Sequence, residues 1–456
     1  MINIQNKTLC CGCSACAQCC PKHSITMAAD EEGFLYPQVH KDTCIDCGLC
    51  EKVCHELHPF ATREPLKVMA AINKDDEVRM ASSSGGMFFL LAQQVINAGG
   101  VVFGAKYDSD WQVFITYAST MEEVKAFMGS KYVQARTEDS YIDCEKFLKS
   151  GRKVLYSGSP CQVAGLKHFL RREYDNLITV DFVCHGMPSP KVWGRYLSEI
   201  VASVRLLANE KSSKGRKLWK KTCFDISYDK SERKVSLSVV FNKSHYMNAF
   251  LHDMILRPSC YDCKAKCGRS RSDITIADYW GIQIEHPEMY DDKGTSLLIV
   301  NTDRGAQCLP LEQCRLLESK LERTKKYNGG LASRISVHHC RKKFFKRLDG
   351  TKSVNRLIDR TVFAPTDGLK AHIYFILKKY YYKFLTWRHN VKVWMKSPYC
   401  QVSKQNNSVK QEKKKFEALI RDAKPILENG KITDVQFRSK IKGWQNYHMT
   451  ITIKGD

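Results

Sequence analysis

The chain has 456 residues, a formal net charge of +24 and 21 cysteines. Its length is sufficient for two or three domains with a sizeable buried core. No stretch approaches the roughly 18 apolar residues that a membrane-spanning helix needs. Residues 1–7 also lack the charged start and apolar run of an export signal, so we expect a cytoplasmic protein.

The cysteines are concentrated near the start of the chain. Ten of the 21 lie between Cys10 and Cys54, at short and repeated spacings. A secreted disulfide scaffold is typical of short chains with an export signal. Metal-bound thiolates in a reducing cytoplasm are therefore the better interpretation.

Residues 1–60 contain two copies of a four-cysteine motif that is typical of bacterial ferredoxins, C-x2-C-x2-C-x3-C. In such a motif three thiolates on one tight loop bind one cluster, and the fourth cysteine reaches across to the other cluster. The spacing therefore predicts two [4Fe–4S] clusters. The ligands of the first are Cys10, Cys13, Cys16 and Cys54, and those of the second are Cys44, Cys47, Cys50 and Cys20.

A zinc knuckle is the alternative for any four-cysteine site, but zinc needs only pairs of C-x2-C and no crossing cysteine. Two features depart from the usual ferredoxin pattern. His55 stands where proline commonly follows the last ligand, and Cys11 and Cys19 are surplus thiols, which leaves open the cysteine that the first copy uses. Strands at 25–27 and 34–37 around a turn predict a small ferredoxin-like dicluster domain.

From residue 65 to about 335 the pattern is that of a mixed-sheet α/β domain. We predict strands at 67–72, 101–105, 153–158 and 177–183, and helices at 87–96 and from about 160 to 170. This succession favours a partly parallel sheet with loops gathered at the carboxyl ends of its strands. Cys161 and Cys184 follow two of these strands, so we expect them to face each other.

A third cysteine group precedes a predicted strand at 272–281. Cys260 and Cys263 form a C-x2-C pair, which by itself fits zinc, redox chemistry or a cluster. Together with Cys161 and Cys184 the pair provides four thiolates, enough for a third [4Fe–4S] cluster. Cys267 competes for the fourth position.

Five short segments occur in one fixed order, at residues 82–86, 129–134, 157–162, 181–186 and 257–263. Together with the N-terminal cysteine motifs they resemble the coenzyme F-420 hydrogenase/dehydrogenase beta-subunit family over roughly residues 1 to 335. The likeness is greatest to the bacterial members, which are often found among polysaccharide-biosynthesis proteins.

The resemblance implies a flavin, usually FAD and alternatively FMN, beside the third cluster. The implied flavin-binding residues are Ser84, Gly85, Gly86, Ser130, Lys131 and Tyr132, and the implied cluster ligands are Cys161, Cys184, Cys260 and Cys263. Lys131 would supply positive charge near the flavin; the alternative is a solvated surface lysine. His185 would donate or relay a proton; the alternative is a turn histidine satisfied by backbone contacts.

Residues 336–456 form a predicted basic helical extension with a small helical appendage, outside the resemblance. Between residues 341 and 415 there are 20 Lys or Arg against four Asp or Glu. Residues 372–396 form a predicted helix in which aromatic side chains alternate with lysines. Such a helix can lie on an anionic membrane surface, contact nucleic acid or a partner protein, or pack on the core. Residues 404–415 are a predicted polar linker.

The cysteine motifs, together with the flavin that the resemblance implies, predict an iron–sulfur flavoprotein oxidoreductase, in which the flavin exchanges hydride and clusters carry single electrons. The alternative is an electron-transfer or adaptor subunit of a larger redox complex, without a substrate site of its own. The expected partners are a redox protein or a small hydride donor or acceptor. Contact with the inner face of the membrane through the basic helix is a further expectation, whereas nucleic acid is the least expected partner.

Overall fold

The computed structural model describes residues 1–209, 224–332, 334–364, 415–439 and 447–455. The chain forms two compact units. The first consists of Met1–Arg195, Ala249–Val337 and Gln436–Met449, and the second of the described parts of Tyr196–Asn248, His338–Val435 and Thr450–Asp456. The domain boundaries expected near residues 60 and 335 stay a prediction. The predicted helix at 372–396 and linker residues 404–414 lie outside the described residues.

Short strands and helices alternate along the described parts of the chain. The strands are β1 Ile25–Ala29, β2 Leu35–Val39, β3 Lys67–Asn73, β4 Val101–Tyr107, β5 Val113–Ala118, β6 Val154–Ser157, β7 Leu177–Phe182, β8 Asp225–Asp229, β9 Lys234–Val240, β10 Ile274–Asp278, β11 Ser296–Val300, β12 Cys314–Ser319, β13 Lys431–Ser439 and β14 Tyr447–Lys454. The named helices are α1 Ala15–Gln18, α2 Leu49–Lys52, α3 Asp76–Ala81, α4 Met87–Asn97, α5 Met121–Val124, α6 Ser140–Lys149, α7 Pro160–Leu170, α8 Pro190–Asn209, α9 His245–Leu251, α10 Ile282–Glu285, α11 Asp303–Gln307, α12 Leu321–Lys325, α13 Arg341–Leu348 and α14 Val354–Val362.

The first sixty residues have two short helices and a two-stranded sheet. β1 and β2 pair antiparallel, with Ile25 opposite Val39. The Asp30 carboxylate closes the turn between them, since it accepts hydrogen bonds from the backbone N–H groups of Glu32 and Phe34. The two strands and the turn that the sequence predicts are therefore present.

The first unit is built around an eight-stranded sheet with the order β12-β3-β11-β10-β7-β6-β4-β5. The central pairs β4–β6, β6–β7 and β7–β10 are parallel. The pairs β3–β11, β3–β12, β10–β11 and β4–β5 are antiparallel. The mixed-sheet α/β prediction is confirmed. Three strands were not predicted: β5 and β12 at the two edges of the sheet, and β11 between β3 and β10.

Helix α4 covers one face of this sheet. Its buried residues Met87, Leu90, Leu91 and Val95 recur at the spacing of one helix face, and they pack with strand residues such as Val102 and Leu155 in one apolar core. The helix begins after Gly86, whose φ of +82° is left-handed. Glycine adopts this backbone conformation without a steric penalty.

The C-terminal residues differ from the prediction of a purely helical appendage. Residues 415–429 are helical, but β13 and β14 follow them in a second sheet of order β13-β14-β9-β8. In β14 the side chains of Met449, Ile451 and Ile453 are buried. This period of two is the strand signal that the sequence analysis missed. No helix among the described residues is long and apolar enough to span a bilayer.

Candidate functional site

The four thiols predicted to hold the first cluster line one cavity, an open space of about 340 Å³. They are those of Cys10, Cys13, Cys16 and Cys54. Cys54 lies 38 residues after Cys16 in the chain, yet it faces the same space. The fold therefore brings the crossing cysteine to the first loop.

The second predicted set lines another cavity in the same way, an open space of about 360 Å³. Its thiols are those of Cys20, Cys44, Cys47 and Cys50. Cys20 follows the first loop in sequence but faces the second cavity, where its Sγ accepts a hydrogen bond from Ser24 N at 3.3 Å. The surplus Cys19 donates to Cys16 O at 3.4 Å and does not line either cavity.

Both loops turn at a glycine with a left-handed backbone. Gly12 has a φ of +71° and Gly48 a φ of +70°. A side chain is disfavoured in this conformation. A short helix follows each glycine, and it carries Cys16 in α1 and Cys50 in α2. The counterpart of Gly12 in the second loop is Asp46, with a φ of +49°, and the counterpart of Gly48 in the first is Ser14, with a φ of +59°. The two loops are therefore left-handed at the same two positions of the repeat.

The third thiol group comes from three separate parts of the first unit. Cys161 lies in the first turn of α7, Cys184 follows β7, and Cys260 lies in the turn Pro258–Tyr261, with Cys263 just beyond it. Burial raises the pKa of Cys184 and of Cys263, and raises that of Cys260 to about 12; each is also affected by a neighbouring thiol of the group. These four thiols therefore lie near one another; that of Cys184 is buried and the other three are half-buried.

Cys267, the competing fourth ligand, has a different environment. Its side chain is exposed, and its Sγ lies 3.6 Å from the carbonyl oxygen of Leu331. Cys184, in contrast, is buried. The choice of Cys161, Cys184, Cys260 and Cys263 as the ligand set stays a prediction.

The donor chemistry of the three groups fits iron–sulfur clusters. Four cysteine thiolates are the usual ligands of a [4Fe–4S] cluster, and they are also a zinc set. In the first group, burial raises the pKa of Cys16, and that of Cys54 to about 12. Buried thiols that repel one another in the charged state become thiolates when a cation binds them.

The surplus residue Cys11 and the unusual residue His55 lie together. Cys11 Sγ is 3.1 Å from His55 Nε2, and Glu56 completes a group whose donor atoms lie within 4.8 Å of one another. The Cys11 thiol also contacts those of Cys13 and Cys161. The hydrogen bond with Cys11 lowers the pKa of Cys161 to about 7, with help from Ser159. Cys11 therefore lies between the first and third thiol groups.

The two segments predicted to bind a flavin also meet. Ser83 Oγ accepts hydrogen bonds from Ser130 N at 2.8 Å and from Ser130 Oγ at 3.1 Å. Ser84 Oγ donates to Thr295 O at 3.0 Å. A Cβ on Gly85 would lie 2.3 Å from Ala71 O, so this glycine permits close packing against β3.

Lys131 and Tyr132 have protein partners. The Lys131 ammonium donates to the carbonyl oxygens of Met128 at 2.9 Å and Ala126 at 3.0 Å, which fixes it to the preceding turn. The Tyr132 ring packs against those of Phe250 and Phe437, with centroids 5.2 and 5.0 Å away. Burial raises the pKa of Tyr132. Their roles at a flavin stay a prediction.

His185 lies next to the buried Cys184 and is half-buried. Its Nε2 is 2.7 Å from Asp253 Oδ1, and its ring packs edge-on against Phe250 at 4.9 Å. Lys266 Nζ donates to the His185 carbonyl at 3.3 Å. An imidazole beside a carboxylate can hold and release a proton. The carboxylate partner was not predicted, because 68 residues separate the two in sequence.

The comparison with protein families covers the third thiol group. Residues 151–322 match the family described as the C terminus of the coenzyme F420 hydrogenase/dehydrogenase beta subunit. Residues 151–322 are therefore similar to the C-terminal part of these beta subunits. Hydrogenases and dehydrogenases are redox enzymes, so the matched range resembles part of a redox-enzyme subunit. Residues 1–150, with the two N-terminal cysteine motifs, lie outside the matched range.

No curated protein matches the chain. Among solved structures, a similar chain is found in the xenon-derivatised F420-reducing [NiFe] hydrogenase complex from Methanosarcina barkeri. It is 17% identical, with a TM-score of 0.38, and the match covers 66% of this chain and 90% of that one. At this TM-score we draw no argument from the likeness.

Proposed function

We propose that the chain is an iron–sulfur flavoprotein oxidoreductase of the beta-subunit type. Residues 1–60 would hold two [4Fe–4S] clusters, residues 65–335 a third cluster and a flavin, FAD or FMN, and residues 336–456 would be an accessory extension. The observation that supports the proposal is that each of two cavities is lined by three thiols of one loop and one from another part of the chain. Four further thiols from three parts of the chain affect one another's pKa.

In this proposal each thiol group holds one cluster, and the cofactors supply the exchange between hydride and single electrons. Ser84, Gly85, Gly86, Ser130, Lys131 and Tyr132 would hold the flavin. His185, with Asp253, would hold or relay a proton. Lys131 would contribute a positive charge, although three carbonyls already accept hydrogen bonds from its ammonium.

The alternative is an adaptor subunit that transfers electrons within a larger redox complex and accepts no hydride itself. The proposed location is the cytoplasm, where the basic C-terminal segment would contact the inner face of a membrane. The proposed process is polysaccharide biosynthesis. A protein partner or a small hydride donor or acceptor would exchange electrons with it. Nucleic acid is not proposed as a partner.

The test is anaerobic purification followed by iron, zinc and flavin analysis. The proposal expects roughly twelve irons and about one flavin per chain. Cys161→Ser should lose about a third of the iron, while Cys267→Ser, at an exposed thiol, serves as the matched control and should lose none. A colourless zinc protein, or iron loss in the control alone, would contradict the assignment.

Stopped-flow reduction separates the enzyme from the adaptor. Nicotinamide and deazaflavin hydride donors are mixed with the oxidised protein, and flavin and cluster bleaching are followed. An enzyme should show flavin reduction that precedes cluster bleaching. An adaptor should react with one-electron donors only.

A further inference from the structure

Arg257 is a fully buried arginine that touches the first thiol group. Its side chain is 0% exposed. Its Nε donates to Cys10 O at 2.7 Å, its Nη2 to Leu35 O at 2.8 Å, and its Nη1 to Gln134 Oε1 at 3.2 Å. All of these acceptors are neutral.

The guanidinium has no carboxylate partner among the described residues. Its other neighbours are the ring of Tyr36, 4.3 Å from its central carbon, and Cys10 Sγ, 3.5 Å from Nη2. An unpaired buried charge is costly in free energy. The group in contact with it that can supply a full negative charge is the Cys10 thiol, as the thiolate ligand of a cluster.

Arg79 shows how the same fold pairs another buried arginine. It is 2% exposed, and it contacts Asp291 through two nitrogens, with Nη1 2.7 Å from Oδ2 and Nη2 2.5 Å from Oδ1. Arg257, in contrast, has no such ion pair among the described residues. Glu56, which lines the same cavity as Cys10, interacts with Arg257 only at longer range.

Arg257 also connects the first and third thiol groups. Its carbonyl accepts a hydrogen bond from Cys260 N at 2.9 Å, within the same turn. Helix α7, which carries Cys161, approaches the first group so closely that a Cβ on Gly165 would lie 2.9 Å from Cys13 Cβ. The second cavity, in contrast, is lined only by residues from the first fifty, including the 58% exposed Ile45.

We propose that Arg257 is the fixed positive counter-charge of the first cluster and holds that cluster beside the third, so that electrons pass from the third cluster through the first to the second. The inference rests on the proposed function, because it needs the clusters to be present. Cluster reduction adds negative charge, and a nearby cation in a buried site favours it. Arg257 is thus a positioning residue that raises the potential of the first cluster.

The experiment is a redox titration followed by electron paramagnetic resonance on the full chain. Arg257→Gln removes the charge, Arg257→Lys keeps it, and Arg79→Lys is the matched control. The first cluster is the signal that Cys54→Ala abolishes. In Arg257→Gln this signal should become harder to reduce by at least about tenfold, which is about 59 mV for a one-electron couple. The other two signals, and all three in Arg79→Lys, should stay in place.

If the Gln variant retains its iron and titrates like the wild type, the inference is wrong. If the Gln variant loses the first cluster, Arg257→Lys decides between the two roles. A Lys variant that keeps this cluster at the wild-type potential supports the charge role. A Lys variant that also loses the cluster shows a packing role and overturns the inference. Iron-free wild-type protein would instead refute the proposed function itself.

Discussion

Cys20 and Cys54 each follow one cysteine loop in sequence and line the cavity of the other loop in space. This exchange ties the two halves of the N-terminal module together, because each thiol group needs both halves. Single substitutions at these two positions should therefore affect opposite clusters.

We expect Cys54→Ala to lose the first cluster and Cys20→Ala the second, each with a loss of about four irons per chain. Iron analysis and the number of paramagnetic signals after reduction would check this. Cys19→Ala is the control, since Cys19 lies beside Cys20 but lines neither cavity. Loss of the same signal in both variants would contradict the crossing assignment.

Asp181 has a buried carboxyl group, and the negative charge of this group opposes folding. Burial raises its pKa to about 6, although Thr275 Oγ1 donates to its Oδ1 at 2.5 Å. Since the folded pKa lies above the unfolded one, the folded state binds the proton more tightly. The protonated Asp181 carboxyl stabilises the folded state fully below the unfolded pKa, and this stabilisation is lost as the pH rises through about 6.

We therefore expect the free energy of unfolding of the wild type to fall relative to that of Asp181→Asn by on the order of 2 kcal/mol between about pH 4 and pH 7. Anaerobic urea unfolding at several pH values would measure the difference. Asp110→Asn, at an exposed aspartate, is the control and should follow the wild type. A constant difference between the wild type and Asp181→Asn would show that the carboxyl does not titrate in this range.

At the scale of elements, α7 matters because it carries the predicted ligand Cys161 at its start and packs on the predicted ligand Cys13 in its middle. Ser159 and Gln162 form a capping box at its start, next to Cys161. Further along, a Cβ on Gly165 would meet both Cys13 Cβ at 2.9 Å and Tyr141 Oη at 2.8 Å. The helix is thus held at a fixed distance from the first thiol group.

Gly165→Ala should destabilise the protein by about 1–3 kcal/mol, because overpacking outweighs the gain in helix propensity. Gly194→Ala is the matched control in α8, where the nearest atom to the added Cβ is Gln112 Nε2 at 3.5 Å. It should stabilise by about 0.5–1 kcal/mol. Anaerobic urea unfolding of the two variants would show the opposite signs; equal stability would mean that α7 can move away from Cys13.

At the scale of the whole molecule, positive charge is distributed unevenly. The chain has a net charge of +24, and residues 341–415 alone have 20 basic and four acidic residues. Such an excess attracts an anionic membrane surface, and salt weakens this attraction. The charge therefore bears on partners and location more than on redox chemistry.

We expect the full chain to sediment with vesicles that contain anionic lipid at low salt and to be released at about 1 M salt, where the Debye length falls to about 3 Å. Vesicles of neutral phosphatidylcholine are the control and should leave the protein in the supernatant. Binding to both kinds of vesicle, or to neither, would count against a membrane role for the basic segment.

The sequence by itself determined the features that depend on local spacing. These features are properties of neighbouring residues. They are the cysteine intervals within each loop, the glycines at left-handed turns, and the apolar periods of β3, β4, β6, β7, α4 and α7. The ferredoxin-like motifs and the mixed sheet could be predicted for this reason. β13 and β14 were missed although their period of two was readable.

Only the tertiary structure decided which distant residues meet. Cys161, Cys184 and Cys260 span about a hundred residues of sequence, and parallel pairing of β6 with β7 places the strand ends that precede Cys161 and Cys184 side by side. The burial of Arg257 without a carboxylate, and the place of Cys11 between two thiol groups, have no local signature. They follow from long-range packing, which fixes the environment of a side chain, whereas sequence spacing fixes only its neighbours along the chain.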